Sequence, residues 1–305
     1  MAKYIVKRIL MGILTAFVVA TLTFFIMNLV PGGPFLAEKA VTPQAQAAME
    51  AKYGLDKPLF QQYLTYMGGL LHGDLGVSLK KRGFTVADII GNRFPVSARL
   101  GGIAVLVAVL IGVPLGSLSA FNRGKAADNI IIVFSTAGIA IPSFLTCTLL
   151  MYFLSVKMKL LPSLGLDTPA SYIMPVIALS LYPASYITRL MRSSMLDVIG
   201  QDYMRTARAK GVPAYKAVFK HALRNAILPV VTYLGPLLAY LMTGSFIVEK
   251  IFTIPGLGQE FVSAIPSRDY PLIMGTTIFL ACFIILMNVI VDIAYAFIDP
   301  RIKLK

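Results

Sequence analysis

Charge is scarce in this sequence. Asp, Glu, Lys and Arg make up 14% of its 305 residues, while 57% are hydrophobic; a soluble domain carries about 25% charged residues. The shortage excludes an ordinary soluble class and points to an all-α chain that crosses a bilayer several times. Cysteine is nearly absent. Cys147 and Cys282 both sit in apolar runs, without metal-like spacing, so they imply neither a disulfide framework nor a thiolate site and read as small packing residues. The two histidines, His72 and His221, form no His-Glu-x-x-His motif and read as polar surface residues. A nucleotide-binding Gly-x-x-x-x-Gly-Lys-[Ser/Thr] loop is also missing: Gly124-Lys125 is followed by Ala126 and lacks the upstream glycine. The chain is therefore not expected to hydrolyse ATP itself, and no Ser/His/Asp set, cofactor site or metal site can be assembled from it.

Acidic residues are the scarcer sign, 14 against 28 basic ones, for a net charge of +14. On a soluble protein that excess would suggest nucleic acid. Here the basic residues lie beside apolar runs, where they set topology and face anionic lipid, so no nucleic-acid partner is expected. Mid-span ionisable residues are missing too. Glu249 and Asp292 fall near the ends of apolar runs, which weakens a proton- or sodium-driven carrier, since such carriers place ionisable groups inside their spans. Asp292 reads as an interfacial partner for a Lys or Arg.

Six apolar runs reach spanning length: Ile9–Val30, Leu100–Phe121, Asn129–Ser155, Ser171–Thr188, Ala226–Val248 and Leu272–Phe297. About 20 helical residues cross the hydrocarbon core. The first run follows Lys3, Lys7 and Arg8 and exceeds the core of a signal peptide, about 7–15 residues; it reads as a retained helix. Pro175 and Pro183 predict a kink, not a break, in the fourth. With the N-terminus inside, the basic residues from Arg189 to Arg224 and those after Asp299 also fall inside. The short outer loops hold only Lys157, Lys159, Lys250 and Arg268. Both termini are then expected in the cytoplasm of a prokaryotic cell.

The segment from Pro31 to about Pro95 is expected outside. Within it, Pro43–Tyr53 is Ala-rich, with Thr42 as N-cap and Gly54 as terminator. Pro58–Leu71 places Leu59, Phe60, Tyr63, Leu64, Met67 and Leu71 near helical spacing. A small helical subdomain follows, dividing the chain into residues 1–95 and 96–305. Within the spans, Gly112 and Gly116 form a Gly-x-x-x-Gly, continued at Ala120, read as helix packing. Among the weakly polar span residues, Tyr182, Ser185, Tyr233, Tyr240 and Thr243 are candidates to line a translocation path, which would suit polar substrates of varied side chain.

A basic segment, Asp202 to Pro229, interrupts the apolar pattern. Asp202 is expected as an N-cap before Arg205-Thr206-Ala207-Arg208-Ala209-Lys210, a strongly helix-forming run. Gly211 can take positive φ and turn the chain. Pro213 suits the first turn of a second helix, with Ala217, Val218, Ala222 and Leu223 on its apolar face. Pro229 falls in the first turn of the fifth span. A loop that only enforced topology would need none of this construction, so the small-residue, basic surface around residues 200–225 reads as a docking surface.

The segment resembles the cytoplasmic Glu-Ala-Ala loop of type I importer permeases of the ATP-binding-cassette superfamily. Counting back from Gly211 puts Arg205-Thr206-Ala207 at the Glu-Ala-Ala positions, and Ala226-Ile227-Leu228-Pro229 closes the motif. Arg205 replaces the acidic residue, and the gap after Gly211 is longer than usual. Both departures resemble the dipeptide, oligopeptide and nickel branch. Gly73-Asp-Leu-Gly-Val-Ser78, Ile251-Phe-Thr-Ile-Pro-Gly-Leu-Gly258, Arg268-Asp-Tyr-Pro271 and Asp299-Pro-Arg301 fit the same branch, and the N-terminal half looks like its B-type subunit. The resemblance implies six transmembrane helices of the type I permease fold and half of a translocation path. It also implies a homologous second permease, two cytoplasmic ATPases that bind ATP and magnesium, and an extracytoplasmic substrate-binding protein. Residues 205–211 would dock an ATPase. Peptide import is the reading adopted; nickel or nickel-chelate import, a stand-alone secondary transporter and a membrane-anchored structural protein are the alternatives.

Overall fold

A computed structural model describes residues 2–29 and 43–298. The expected cap at Thr42 and the Asp299-Pro300-Arg301 motif lie outside the described residues, as do the side chains of Arg208, Val218, Lys220, His221 and Asp292. Along the chain, α1 (Ala2–Leu29) is followed by α2 (Pro43–Tyr53) and α3 (Leu59–Leu71). Gly54 ends α2 as expected: at φ +67° it lets the Leu55 amide donate back to the Glu50 carbonyl at 2.8 Å. Next comes α4 (Val86–Phe121), much longer than the apolar run that announced it. Helix starts at Val86 and runs through Pro95. A capping box sets the start: the Asp88 amide donates to Thr85 Oγ1 at 3.1 Å, and the Thr85 amide donates to Asp88 Oδ2 at 3.0 Å.

The third apolar run, Asn129–Ser155, is not one helix. It folds as α5 (Ala126–Ala140) and α6 (Ser143–Leu150), the latter continued by a π-helical turn over Met151–Lys157, and the two halves meet at 102°. Pro142 is the cause: a residue before proline is pushed out of the helical region, and Ile141 is extended at φ −77°, ψ 120°. A 3₁₀ turn (Pro169–Tyr172) leads into α7 (Ile173–Ile199), which continues unbroken through Pro183. Then come α8 (Asp202–Ala209), α9 (Ala214–Lys216), a π-helical turn over Ala217–Ala222 and α10 (Leu223–Ala226). The fifth run forms α11 (Leu228–Met242), with Pro229 in its first turn as expected, and α12 (Phe246–Ile251). The chain closes with α13 (Leu257–Ser267) and α14 (Tyr270–Ile298). Among the described residues, five helical stretches are long and apolar enough to cross a membrane, or six if the bent α5–α6 pair counts as one span.

The chain divides into two compact units, Met1–Val96 with Pro255–Lys305, and Ser97–Ile254. In the first, α1 lies close against α14: a Cβ on Gly12 would come within 2.7 Å of Ile285 Cγ2. Its core gathers Val86, Ile89 and Ile90 with Leu257, Ala264, Leu272 and Ile273. Two sequence motifs meet there. Asp269 of the Arg268-Asp-Tyr-Pro271 run is buried and accepts hydrogen bonds from Ser78 Oγ and, at 3.1 Å, from the Leu79 amide. Glu260 pairs with Arg93 at 3.1 Å and with Lys81 at 2.5 Å.

The second unit is built on close helix contacts. The Gly112 and Gly116 pattern is a packing face, as expected. A Cβ on Gly112 would sit 2.8 Å from the Ala184 carbonyl oxygen, and one on Gly116 would sit 2.5 Å from that of Thr188. Small residues allow this approach between α4 and α7.

Candidate coupling surface and path wall

The basic segment folds as a short helix, a glycine turn and a return helix. Asp202, expected as the N-cap, is instead the first helical residue of α8. The Gln201 carbonyl accepts from the Met204 and Arg205 amides at 3.0 and 3.3 Å and so begins the helix. An acidic residue in the first turn still complements the helix dipole. Gly211 closes α8 at φ +81°, and the Val212 amide donates to the Ala207 carbonyl at 3.2 Å. This is the same six-to-one closure that ends α2. The Pro213 carbonyl accepts from the Ala217 amide at 3.0 Å and starts the return.

What holds α8 in place is its apolar side. Met204, Ala217, Ala222 and Ala226 are fully buried, and burial of a Met side chain contributes about 1.5–3 kcal/mol. Asn225 Nδ2 donates to the Tyr203 hydroxyl at 2.9 Å, tying the return helix to α8. The other side is open. Arg205, Thr206, Ala209, Lys210 and Gly211 are exposed, with Ala207 half-buried. Arg205 meets Asp202 at 3.7 Å, with both side chains largely in solvent, so the pair contributes little. A Cβ on Gly211 would meet no atom within 4 Å. The segment therefore presents a short basic rim with little side-chain bulk.

The residues expected to line a path do not form one group. Tyr182 on α7 and Tyr233 on α11 share a tyrosine cluster through Tyr186, with ring centroids 6.4 Å apart for Tyr182–Tyr186 and 4.5 Å for Tyr186–Tyr233. Tyr240 is 71% exposed. Ser185 is buried at a helix contact, its Oγ only 2.2 Å from where a Gly138 Cβ would sit. Thr243 is buried and donates to the Tyr240 carbonyl at 2.7 Å. Among the described residues, the hydroxyls of Tyr182, Tyr186, Tyr233 and Tyr240 make no hydrogen bond to protein.

Sequence reasoning missed three residues of the second unit. Tyr186, the bridge of the cluster, was hidden in an apolar helix; its spacing of four from Tyr182 was the available signal. The buried Asp128 pairs with the half-buried Arg192. Asp128, 1% exposed, accepts from Arg192 Nε at 2.7 Å and Nη2 at 2.8 Å, from Ser119 Oγ at 2.5 Å and from the Gly124 amide at 2.9 Å. Arg192 had been grouped with the topology-setting charges; nothing local in the sequence joins it to a carboxylate 64 residues away.

The chain matches two family models. Residues 112–304 match the family described as binding-protein-dependent transport system inner membrane component. Residues 1–101 match its companion, the N-terminal region of such membrane components. A dipeptide transport system permease protein of Bacillus subtilis is 45% identical over 304 residues, covering 100% of this chain and 99% of the relative. An oligopeptide transport system permease protein of Haemophilus influenzae is 42% identical over 305 residues, covering 99% and 100%. The oligopeptide permease protein of Salmonella typhimurium is likewise 42% identical over 305 residues. Among solved structures, a chain of an inward-facing methionine ABC transporter superposes with a TM-score of 0.54 at 18% identity, over 69% of this chain and 96% of that one. That likeness establishes the type I importer permease fold.

Proposed function

This chain belongs to the family of inner membrane components of binding-protein-dependent transport systems, and from that premise we propose that it is half of the translocation path of an ATP-driven importer of dipeptides or oligopeptides. Family membership makes it a multi-pass permease subunit that works with a partner permease and with ATPase subunits. The peptide substrate is supported by full-length identity to relatives named for dipeptide and oligopeptide transport.

The finer reading is as follows. Two ATPases sit on the cytoplasmic side and bind ATP and magnesium; this chain contributes no residue to hydrolysis. One of them grips α8, through Arg205 to Gly211, and its closure on ATP swings α8 and shifts the permease pair between inward- and outward-open forms. A binding protein delivers substrate on the far side. Both termini lie in the cytoplasm, as the basic residues of the Arg189–Arg224 region favour. Tyr182 and Tyr233, joined by Tyr186, and the exposed Tyr240 face the peptide; neutral hydroxyls and ring faces can accept main chain and varied side chains without selecting one charge.

The exposed turn at Gly211 is the observation that carries the docking reading, and it sets the test. Gly211→Asp puts a carboxylate on the basic rim; Gly211→Asn has the same shape and tolerates positive φ without the charge. The Asp variant is expected to insert in the membrane yet lose the ATPases on purification, and the Asn variant to keep a larger share of them. Wild-type ATPase stoichiometry and continued peptide uptake in the Asp variant would sink the docking reading.

A further inference from the structure

We propose that the Asp128–Arg192 pair is the joint that hands movement of α8 to α4, a positioning role in transport that rests on α8 being the ATPase-docking helix. The carboxylate of Asp128 gathers four donors from three places: both guanidinium nitrogens of Arg192 on α7, the Ser119 hydroxyl near the end of α4, and the Gly124 amide of the turn between α4 and α5. One buried side chain thus pins α4, the turn and α5 to α7. Arg192 lies two turns before the end of α7, and α8 begins three residues after that end. A rise of about 1.5 Å per residue places the joint roughly 10 Å from where a push on α8 would enter α7.

The other contacts between α4 and α7 cannot replace it. Gly112 and Gly116 bring the backbones together over the Ala184 and Thr188 carbonyls, but smooth small-residue faces resist separation better than sliding along the helix axis. A bidentate guanidinium–carboxylate pair is directional, so it fixes the axial register that packing leaves soft. A second contact feeds the same body: Phe121, the last residue of α4, meets Phe219 on the return segment with ring centroids 6.1 Å apart. Movement of α8 therefore reaches α7 through the chain and α4 through the return segment, and the Asp128 joint keeps the two in step. α5 is also packed on α7 where Gly138 meets Ser185, so without the joint α7 and α5 can move while α4 lags, and ATP is spent without a completed transport step.

The test uses the assembled importer in proteoliposomes, with radiolabelled dialanine and the binding protein on one side and ATP on the other. Asp128→Asn combined with Arg192→Gln removes both charges at once, leaving no buried lone ion. This variant is expected to retain its ATPases and ATP hydrolysis, while dialanine moved per ATP falls about tenfold or more, within the range of coupling between distant sites. Arg192→Lys keeps the charge but not the fork and is expected to fall between. Wild-type transport per ATP in the double variant would overturn the proposal, as would losses of transport that only track losses of assembled complex. Because the coupling ratio is read on complexes that still hold their ATPases, failure here is distinct from failure of the docking reading, which the Gly211 variants report.

Discussion

Gly101 and Gly102 are neighbours on α4 with opposite surroundings. A Cβ on Gly101 would lie 2.1 Å from the Leu241 carbonyl oxygen, whereas one on Gly102 would meet nothing within 4 Å. The obstacle at Gly101 is backbone of α11, which cannot rotate away as a flexible side chain can. Gly101→Ala is therefore expected to separate α4 from α11 and lower the melting temperature of the detergent-solubilised protein by several degrees, since overpacking costs about 1–3 kcal/mol. Gly102→Ala should leave it unchanged or slightly raised, because alanine favours helix over glycine by about 1 kcal/mol. Equal melting of the two variants would contradict the packing described here. In the sequence the two glycines are indistinguishable, and only the position of another helix separates them.

Among the elements, the segment between α3 and α4 depends most on a distant partner. It has little secondary structure of its own, with a single bridge between Val77 and Thr85, and Asp269 supplies what the backbone lacks. Asp269→Ala would leave the Ser78 hydroxyl and the Leu79 amide buried without an acceptor, and each such loss costs about 1–3 kcal/mol. Faster proteolysis within residues 74–85, ahead of global unfolding, is the expected result; Asp269→Asn, which keeps an acceptor oxygen, should be milder. Unchanged cleavage in the Ala variant would show that the tie is dispensable. Both motifs that meet here were visible as strings, but not that one clamps the other, since they are about 190 residues apart. The bend at Pro142 was missed for a different reason. Prolines are tolerated within membrane helices, as Pro183 is in α7, and sequence alone does not tell which one breaks its helix. By contrast, α8, its glycine turn and Pro229 were legible because cap, propensity and turn chemistry act within a few residues. The first residue of α8 shifted by one position, within the fraying of any helix end.

At the scale of the whole molecule, the chain is a subunit of an assembly. The purified chain alone in liposomes is expected neither to accumulate dialanine nor to hydrolyse ATP, and substrate accumulation by the lone chain would refute an obligate assembly. Composition decided the class, because 57% hydrophobic residues with 14% charged cannot remain in water. Apolar run lengths decided where most spans lie, because a bilayer of fixed thickness asks for about 20 residues each. Short-range chemistry decided the basic segment of α8 and its glycine turn. Tertiary structure alone decided which polar residues meet: Asp128 with Arg192, Asp269 with Ser78, Tyr182 with Tyr233 through Tyr186. It also separated Ser185, held at a helix contact, from the exposed Tyr240. The physical reason is range. Hydropathy, propensity and caps act over one or two turns and are written in consecutive residues, whereas an ion pair or a backbone-close glycine depends on helices that only the folded chain brings together.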